Sequence, residues 1–303
     1  MKTAIIVDST AGLSQETAQH SDIYQLYLSS IFEDGTVFVD RADDALTQQF
    51  YERMKTEKEL PKTSQPEPQQ VYDLFDQLIE AGYDTVIGVF LSSKISGTFQ
   101  TVAAVSKEYE DRLAVHLIDS QLTSFVLEAM TLNIIELVDR ETAPEEIVSQ
   151  IKTLIGQSAF YFSPAKLDNL VKGGRVSSLG GMLGNLLGIK PLITMGNETD
   201  GEITVPEKVR SMKKSLNRLY EIAVEHIEQY PERAYIVVGH TGVPQDAAAL
   251  CERILATYPE VMVRIGFITP VLGTHGGSGA VSINVAPLLN AEVYSSKTAP
   301  HLI

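Results

Sequence analysis

The chain has 303 residues, 44% hydrophobic and 21% charged, with a formal net charge of −15. That length and composition predict a globular protein of two ordinary domains with sizeable apolar cores. A chain this acidic repels phosphate backbones and anionic headgroups, which excludes nucleic acid and the membrane surface as direct partners.

The first residues, MKTAIIVD, carry an apolar stretch too short for a signal peptide. No run approaches the roughly 18 apolar residues of a membrane span, so no stable membrane insertion is expected. The single cysteine, Cys251, cannot form an internal disulfide and reads as a small core residue on a helix. Both features fit a cytoplasmic, reducing compartment.

In chain order, residues 4–7 (AIIV) form a β-branched run ending in Asp8-Ser9-Thr10, the pattern of a buried strand followed by a turn or helix cap. Val71, Phe75, Leu78 and Ile79 share one face of a helix that starts at Pro68. Residues 85–91 (TVIGVFL) predict a second strand ending in Ser92-Ser93, with a helix after Gly97. Residues 114–118 (AVHLI) predict a third, ending in Asp119-Ser120. Thr142-Ala143-Pro144 starts the last helix of this unit. Strand and helix in alternation predict a parallel sheet covered by helices. In such sheets the ligand crevice lies beyond the carboxyl ends of the strands.

A second unit begins near Ala159. Residues 159–162, 234–238 and 261–268 read as strands, the last alternating as a half-buried strand does. Residues 206–229 read as one long charged helix with Leu216, Leu219, Ala223 and Ile227 on one face. Residues 176–193 (VSSLGGMLGNLLGIKPLI) are apolar and carry four glycines. They predict either a closely packed core helix or the wall of an apolar cavity that opens and closes.

Four clusters carry candidate chemistry. Thr63 and Ser64 precede a proline-set helix start, which suits an anion and equally suits a plain helix cap. Ser92, Ser93 and Ser96 line a strand-to-helix loop whose entry at Ser96-Gly97 is again either an anion cradle or a cap. His275 stands among four glycines in seven residues. That setting predicts a close-approach loop instead of a helix face, with an imidazole free to donate to a carboxylate or transfer a proton. Lys172-Gly173-Gly174-Arg175, echoed by Lys208-Val209-Arg210 and Lys213-Lys214, offers guanidinium groups for a carboxylate or phosphate, or simply solvated charge. Phosphate-loop, HExxH and CxxC patterns are absent, so no nucleotide or metal cofactor is expected. Residues 276–280 mimic a nucleophile elbow but lack its strand–turn–helix frame.

Taken together, Asp8-Ser9-Thr10, TSQP at 63–66, LSSKISGT at 91–98, Asp119-Ser120, KGGR at 172–175, GNLLGIKP at 184–191, KVR at 208–210 and GTHGGSG at 273–279 resemble the DegV family. Its characterised bacterial members are the fatty-acid-binding (B) subunits of fatty acid kinase. The resemblance spans essentially the whole chain. It implies a parallel-sheet, Rossmann-like α/β domain over residues 1–158 and a mixed-sheet α/β domain over 159–303, with a long-chain fatty acid held between them. It implies carboxylate ligands at Thr63, Ser96 and His275, with Ser64 and Ser93 close by, and docking or phosphate contacts at Arg175 and Arg210. The implied partner is a separate ATP-dependent kinase subunit that makes acyl phosphate for phospholipid synthesis; no cofactor is implied. One departure is notable: relatives carry a glycine-rich turn after the Asp-Ser strand end, where this chain has Phe125 and Leu127, which implies a bulkier cavity wall. The competing readings are a stand-alone hydrolase or acyltransferase using Ser96 and His275, with Asp8 or Asp119 as the orienting acid, and a scaffold with an empty cleft.

Overall fold

The structure is a computed structural model that describes residues 2–165, 168–176 and 190–290. The chain opens with β1 (Thr3–Asp8), α1 (Gln15–Ala18) and β2 (Ile23–Leu26). A small excursion follows: β3 (Ser29–Ile31), β4 (Val37–Val39), α2 (Asp44–Met54) and β5 (Lys62–Ser64). The regular alternation resumes with α3 (Pro68–Glu80), β6 (Thr85–Phe90), α4 (Thr98–Ser106) and β7 (Ala114–Asp119). Two helices, α5 (Phe125–Asp139) and α6 (Pro144–Gly156), lead to β8 (Ala159–Ser163), α7 (Asp168–Lys172), β9 (Lys190–Met195) and β10 (Thr204–Val209). The last stretch runs α8 (Met212–Gln229), β11 (Ala234–His240), α9 (Pro244–Thr257), β12 (Met262–Phe267), α10 (Pro270–Gly276) and β13 (Val281–Pro287).

The strands β2-β1-β6-β7 form a parallel sheet, as the alternation predicts. A second sheet, β10-β9-β8-β13-β11-β12, is mixed: only β11 and β12 run parallel. The pair is the two-part α/β architecture expected from the sequence. The excursion forms a third, antiparallel sheet, β4-β3-β5.

Strand alternation decides which core each residue joins. Ala4 and Ile6 face α3 and α4 with Val71, Phe75 and Val102. Ile5 and Val7 face the other way, onto α5. In the mixed sheet Ile236 and Val238 pack with Leu219 of α8 and Leu250 of α9, while Tyr235 and Val237 turn to the same central core as α5. Helix α5 therefore lies between the two sheets, touching β1 and β6 on one side and β11 and β13 on the other. Its sequence, FVLEAMTLNIIELVD, is apolar nearly all round, as a helix buried on all sides must be. Its wholly buried charged residue, Glu128, meets Arg264 of β12 in an ion pair.

One expectation needs correction. Residues 206–229 are not one helix: residues 204–209 form β10, at the sheet edge, where the missing donor of Pro206 is tolerated. The helix starts only after Ser211, whose Oγ accepts from the Lys214 amide at 3.3 Å. The glycine-bearing run 176–193 is described only at its ends. Residues 177–189 lie outside the described residues, and the run closes in β9.

Candidate functional site

Beyond the carboxyl ends of β2, β6 and β7, where the parallel sheet faces β8 and β9, lies a cavity of about 290 Å³. That is close to the lower end of the roughly 300–1,000 Å³ of small-molecule sites. Most of its wall is apolar: Leu91 and Ile95 from the first sheet's loop, Phe160 and Phe162 from β8, Ile193 and Met195 from β9. Thr63, Ser64, Ser96, His275 and Arg175 also line it.

His275 reaches this wall from the last turn of α10. Residues 270–276 are thus helical, not the loop that the glycines predict. Pro270 sits in the first turn behind an extended Thr269, which favours helix entry. The glycines serve close packing instead: Gly273 lies against the Tyr51 hydroxyl and Gly276 against the Phe162 ring, where a Cβ would not fit. Three further contacts fix the helix to the small excursion. The Val271 amide donates to Asp40 Oδ1 at 3.0 Å, Tyr51 donates to the Ile268 carbonyl at 2.6 Å, and Ser30 Oγ and Thr274 Oγ1 lie 3.0 Å apart. Burial, with the charge of Asp8 adding to it, pushes the Asp40 carboxyl up to about 7.

Thr63 lies on β5, opposite Ser30 of β3, so its neighbours are strand residues and it caps no helix. The first turn of α3 is entered from Glu67 without a side-chain cap. The β3 pairing brings Thr63 Oγ1 to 3.0 Å from His275 Nε2. The other ring nitrogen, Nδ1, is buried without a partner. It rests against Gly173, where any side chain would collide with it, which explains a glycine in the KGGR run. Burial, and the nearby positive charge of Arg175, push His275 down to about 4, so the ring is neutral at neutral pH. Arg175 is exposed; its Nη1 donates to the Gly173 carbonyl at 2.8 Å and its Nε approaches the Ile95 carbonyl at 3.5 Å.

Ser96 Oγ lies 2.9 Å from Thr98 Oγ1 and accepts from the Thr98 amide at 3.3 Å, so it both turns the loop into α4 and lines the cavity. Ser93 does not line the cavity; its amide donates to Asp119 Oδ1 at 3.1 Å. Arg210, beyond β10, is likewise outside the lining. Asp8 accepts from the Leu91 amide at 2.7 Å and from the Thr10 amide at 3.0 Å, and burial pushes its carboxyl up to about 6. Asp8 and Asp119 thus shape the Ser92–Ser96 loop, and neither is bonded to His275. Ser96 and His275 make no hydrogen bond to each other. A Ser-His-acid relay is not assembled among the described residues.

Phe125 and Leu127 are buried but do not line this cavity. Phe125 projects toward Gly12, Gly239 and Gly266, with the Arg264 guanidinium 4.9 Å above its ring. The residues of that turn that do line the cavity are Thr123 and Ser124. In the sequence they are two hydroxyls at a strand-to-helix turn, a pattern that a plain helix entry shares. Among the described residues no group of His, Cys, Asp and Glu is placed to hold a metal ion, and no helix is long and apolar enough to cross a membrane.

Comparison with known proteins adds the lineage. A family model described as "Uncharacterised protein, DegV family" matches residues 2–288. A DegV domain-containing protein of Streptococcus pneumoniae is 34% identical over 289 residues, covering 95% of this chain and all of the relative. The crystal structure of a fatty-acid-binding DegV family protein of Streptococcus agalactiae superposes with a TM-score of 0.85 at 32% identity, covering 95% of this chain and 99% of that one. A fatty acid kinase B3 protein of S. pneumoniae, crystallised loaded with linoleic acid, gives 0.79 at 25% identity over 95% and 100% of the two chains. A family match over nearly the whole length, together with the same two-sheet architecture, shows that this chain belongs to the DegV family.

Proposed function

We propose that this protein binds a long-chain fatty acid in the cavity and presents its carboxylate to a separate ATP-dependent kinase, without catalysing the transfer itself. The observation that carries this reading is one apolar cavity with a polar end formed by the Thr63–His275 pair and Ser96. Each buried methylene of an acyl chain contributes about 0.8 kcal/mol, so the apolar wall supplies most of the affinity. The carboxylate is costly to bury without donors, and the hydroxyls of Thr63, Ser64 and Ser96 with the His275 imidazole provide them. In this reading Arg175, exposed at the rim, meets the transferred phosphoryl group or the kinase, and Arg210, outside the cavity lining, serves docking. The S. agalactiae and S. pneumoniae relatives support the ligand class, and the latter supports the kinase partner. Domains spanning 1–158 and 159–303 would each contribute one wall.

Mass spectrometry of the purified protein, native and then solvent-extracted, is expected to show one fatty acid per chain. Thr63→Ala combined with Ser96→Ala should lower both retained fatty acid and acyl-phosphate formation with added kinase by tenfold or more, on the order of 1.5–3 kcal/mol for hydrogen bonds to a charged group. A protein that is empty and takes up no added fatty acid would sink the reading. Turnover of an acyl ester by this chain alone would instead favour the hydrolase.

The pH dependence has a definite sign. A bound carboxylate raises the His275 pKa above its ligand-free value of about 4. The resulting affinity is fully present below that lower value and is lost as pH rises through the bound value. The ligand's own titration affects wild type and variant alike. The affinity ratio of wild type to His275→Gln should therefore grow on acidification from about pH 7 to about pH 5. A ratio that stays flat would remove His275 from the carboxylate site.

A further inference from the structure

The sheet that carries Thr63 turns its other face away from the molecule. Antiparallel pairing sets β4, β3 and β5 in rows: Val37, Ile31 and Lys62, then Phe38, Ser30 and Thr63, then Val39, Ser29 and Ser64. The middle row points inward. Phe38 packs on Phe50 with ring centroids 5.5 Å apart, Ser30 meets Thr274, and Thr63 meets His275. Strand alternation sends the two flanking rows to the opposite face. Every residue of those rows is exposed or half-buried, so that face is open.

The open face of an antiparallel sheet is normally polar. This one centres on valine. Among the described residues four large apolar side chains are exposed, and three of them, Val37 at 53%, Leu46 at 44% and Val39 at 40%, belong to this excursion. Val37 and Val39 share the open face, with Ile31 beside Val37. Threonine has the shape of valine and suits a strand as well, so the fold does not require apolar surface here. Clustered exposed apolar residues mark contact with another molecule. The only charge on the face is Lys62. The ion pairs of the excursion join Arg53 to Asp34 and Glu57, and Lys55 to Glu52, and leave Lys62 out. The Val39 row also runs to the ligand end. Ser64 lines the cavity, and two strand spacings, roughly 10 Å, separate it from Val39. A lipid surface is a poor match, because a chain of net charge −15 repels anionic headgroups. A protein patch of apolar side chains with one carboxylate matches both the valines and Lys62.

Resting on the carrier reading, we propose that the outer face of β4-β3-β5 is the docking surface for the kinase subunit, with apolar side chains of the kinase on Val37 and Val39 and a carboxylate on Lys62. The test is acyl-phosphate formation from the fatty-acid-loaded full chain by the catalytic subunit of a fatty acid kinase with ATP, at varied carrier concentration. Wild type is compared with Val37→Glu/Val39→Glu, Val37→Thr/Val39→Thr and Lys62→Glu. Mass spectrometry should show the same fatty acid content in all four. The glutamate double variant should raise the KM for the carrier on the order of tenfold or more with kcat retained. The threonine double variant keeps side-chain shape and strand propensity, so its smaller rise reports docking and not folding. Lys62→Glu should also raise KM, and that rise should shrink at about 0.5 M salt. Unchanged KM in all three variants overturns this inference while leaving the carrier reading intact. Variants with unchanged KM that alter only self-association, or only flotation with phosphatidylglycerol vesicles, overturn it too and assign the face to a second copy or to lipid. A wild type that holds fatty acid yet yields no acyl phosphate overturns the kinase reading and this inference together.

Discussion

Glu128→Ala is expected to destabilise the protein by about 3–5 kcal/mol, the usual effect of removing one partner of a buried ion pair. Glu128 is wholly buried on α5, between the sheets. It accepts from the Ser14 amide at 2.7 Å, from the Tyr235 hydroxyl at 3.0 Å and from Arg264 Nε at 3.1 Å, and it pairs with Arg264 Nη2. Arg264 Nε also lies 2.8 Å from the Tyr235 hydroxyl, and Nη2 donates to the Gly12 carbonyl at 3.1 Å. Alanine leaves the guanidinium without its counter-charge and two further donors, the Ser14 amide and the Tyr235 hydroxyl, without this acceptor. Pairing Glu128→Ala with Arg264→Leu should recover part of the loss, because the uncompensated charge goes with the arginine. The measurement is urea unfolding; a loss under 1 kcal/mol would show that water reaches and solvates Arg264.

Phe125→Ala is expected to cost a comparable amount, about 3–5 kcal/mol, through the cavity it leaves. The ring is among the largest fully enclosed side chains, and three glycines, Gly12, Gly239 and Gly266, leave room for it. None of those neighbours can extend a side chain to refill the gap. Since Arg264 lies over the same ring, the effects of Phe125→Ala and Glu128→Ala should not simply add. Fatty acid uptake by the folded Phe125→Ala protein should persist, because the ring is outside the proposed ligand cavity. Loss of uptake with stability retained would place Phe125 in the acyl wall after all.

Much of the fold was legible because β1, β6 and β7 are short apolar runs ended by polar turns, and because α3 carries a clean apolar stripe. What failed did so for tertiary reasons. Pro206 reads as a helix start, but an edge strand accepts a proline at no cost in ladder bonds. The glycines around His275 read as a loop, but Tyr51 and Phe162, distant in sequence, are what demand them. In the sequence Thr63 reads as an anion-binding or capping residue next to a helix. Its partner across 212 positions, His275, came with it only through the family resemblance, since no local pattern encodes a strand pairing with β3. Thr123 and Ser124 carry no distinguishing local pattern, because an unpaired hydroxyl and a positive φ exist only in three dimensions.

The central position of α5 also limits how a ligand can enter and leave. A clamshell protein exchanges its cargo by parting two lobes about a hinge. Here the two sheets grip one helix from opposite sides and are riveted through it by Glu128 and Arg264. Parting them would strip apolar surface from the most enclosed helix of the chain. On the proposed reading, exchange of the fatty acid is expected at the rim, where exposed Gln65 and Arg175 stand at the cavity edge, without any parting of the frame.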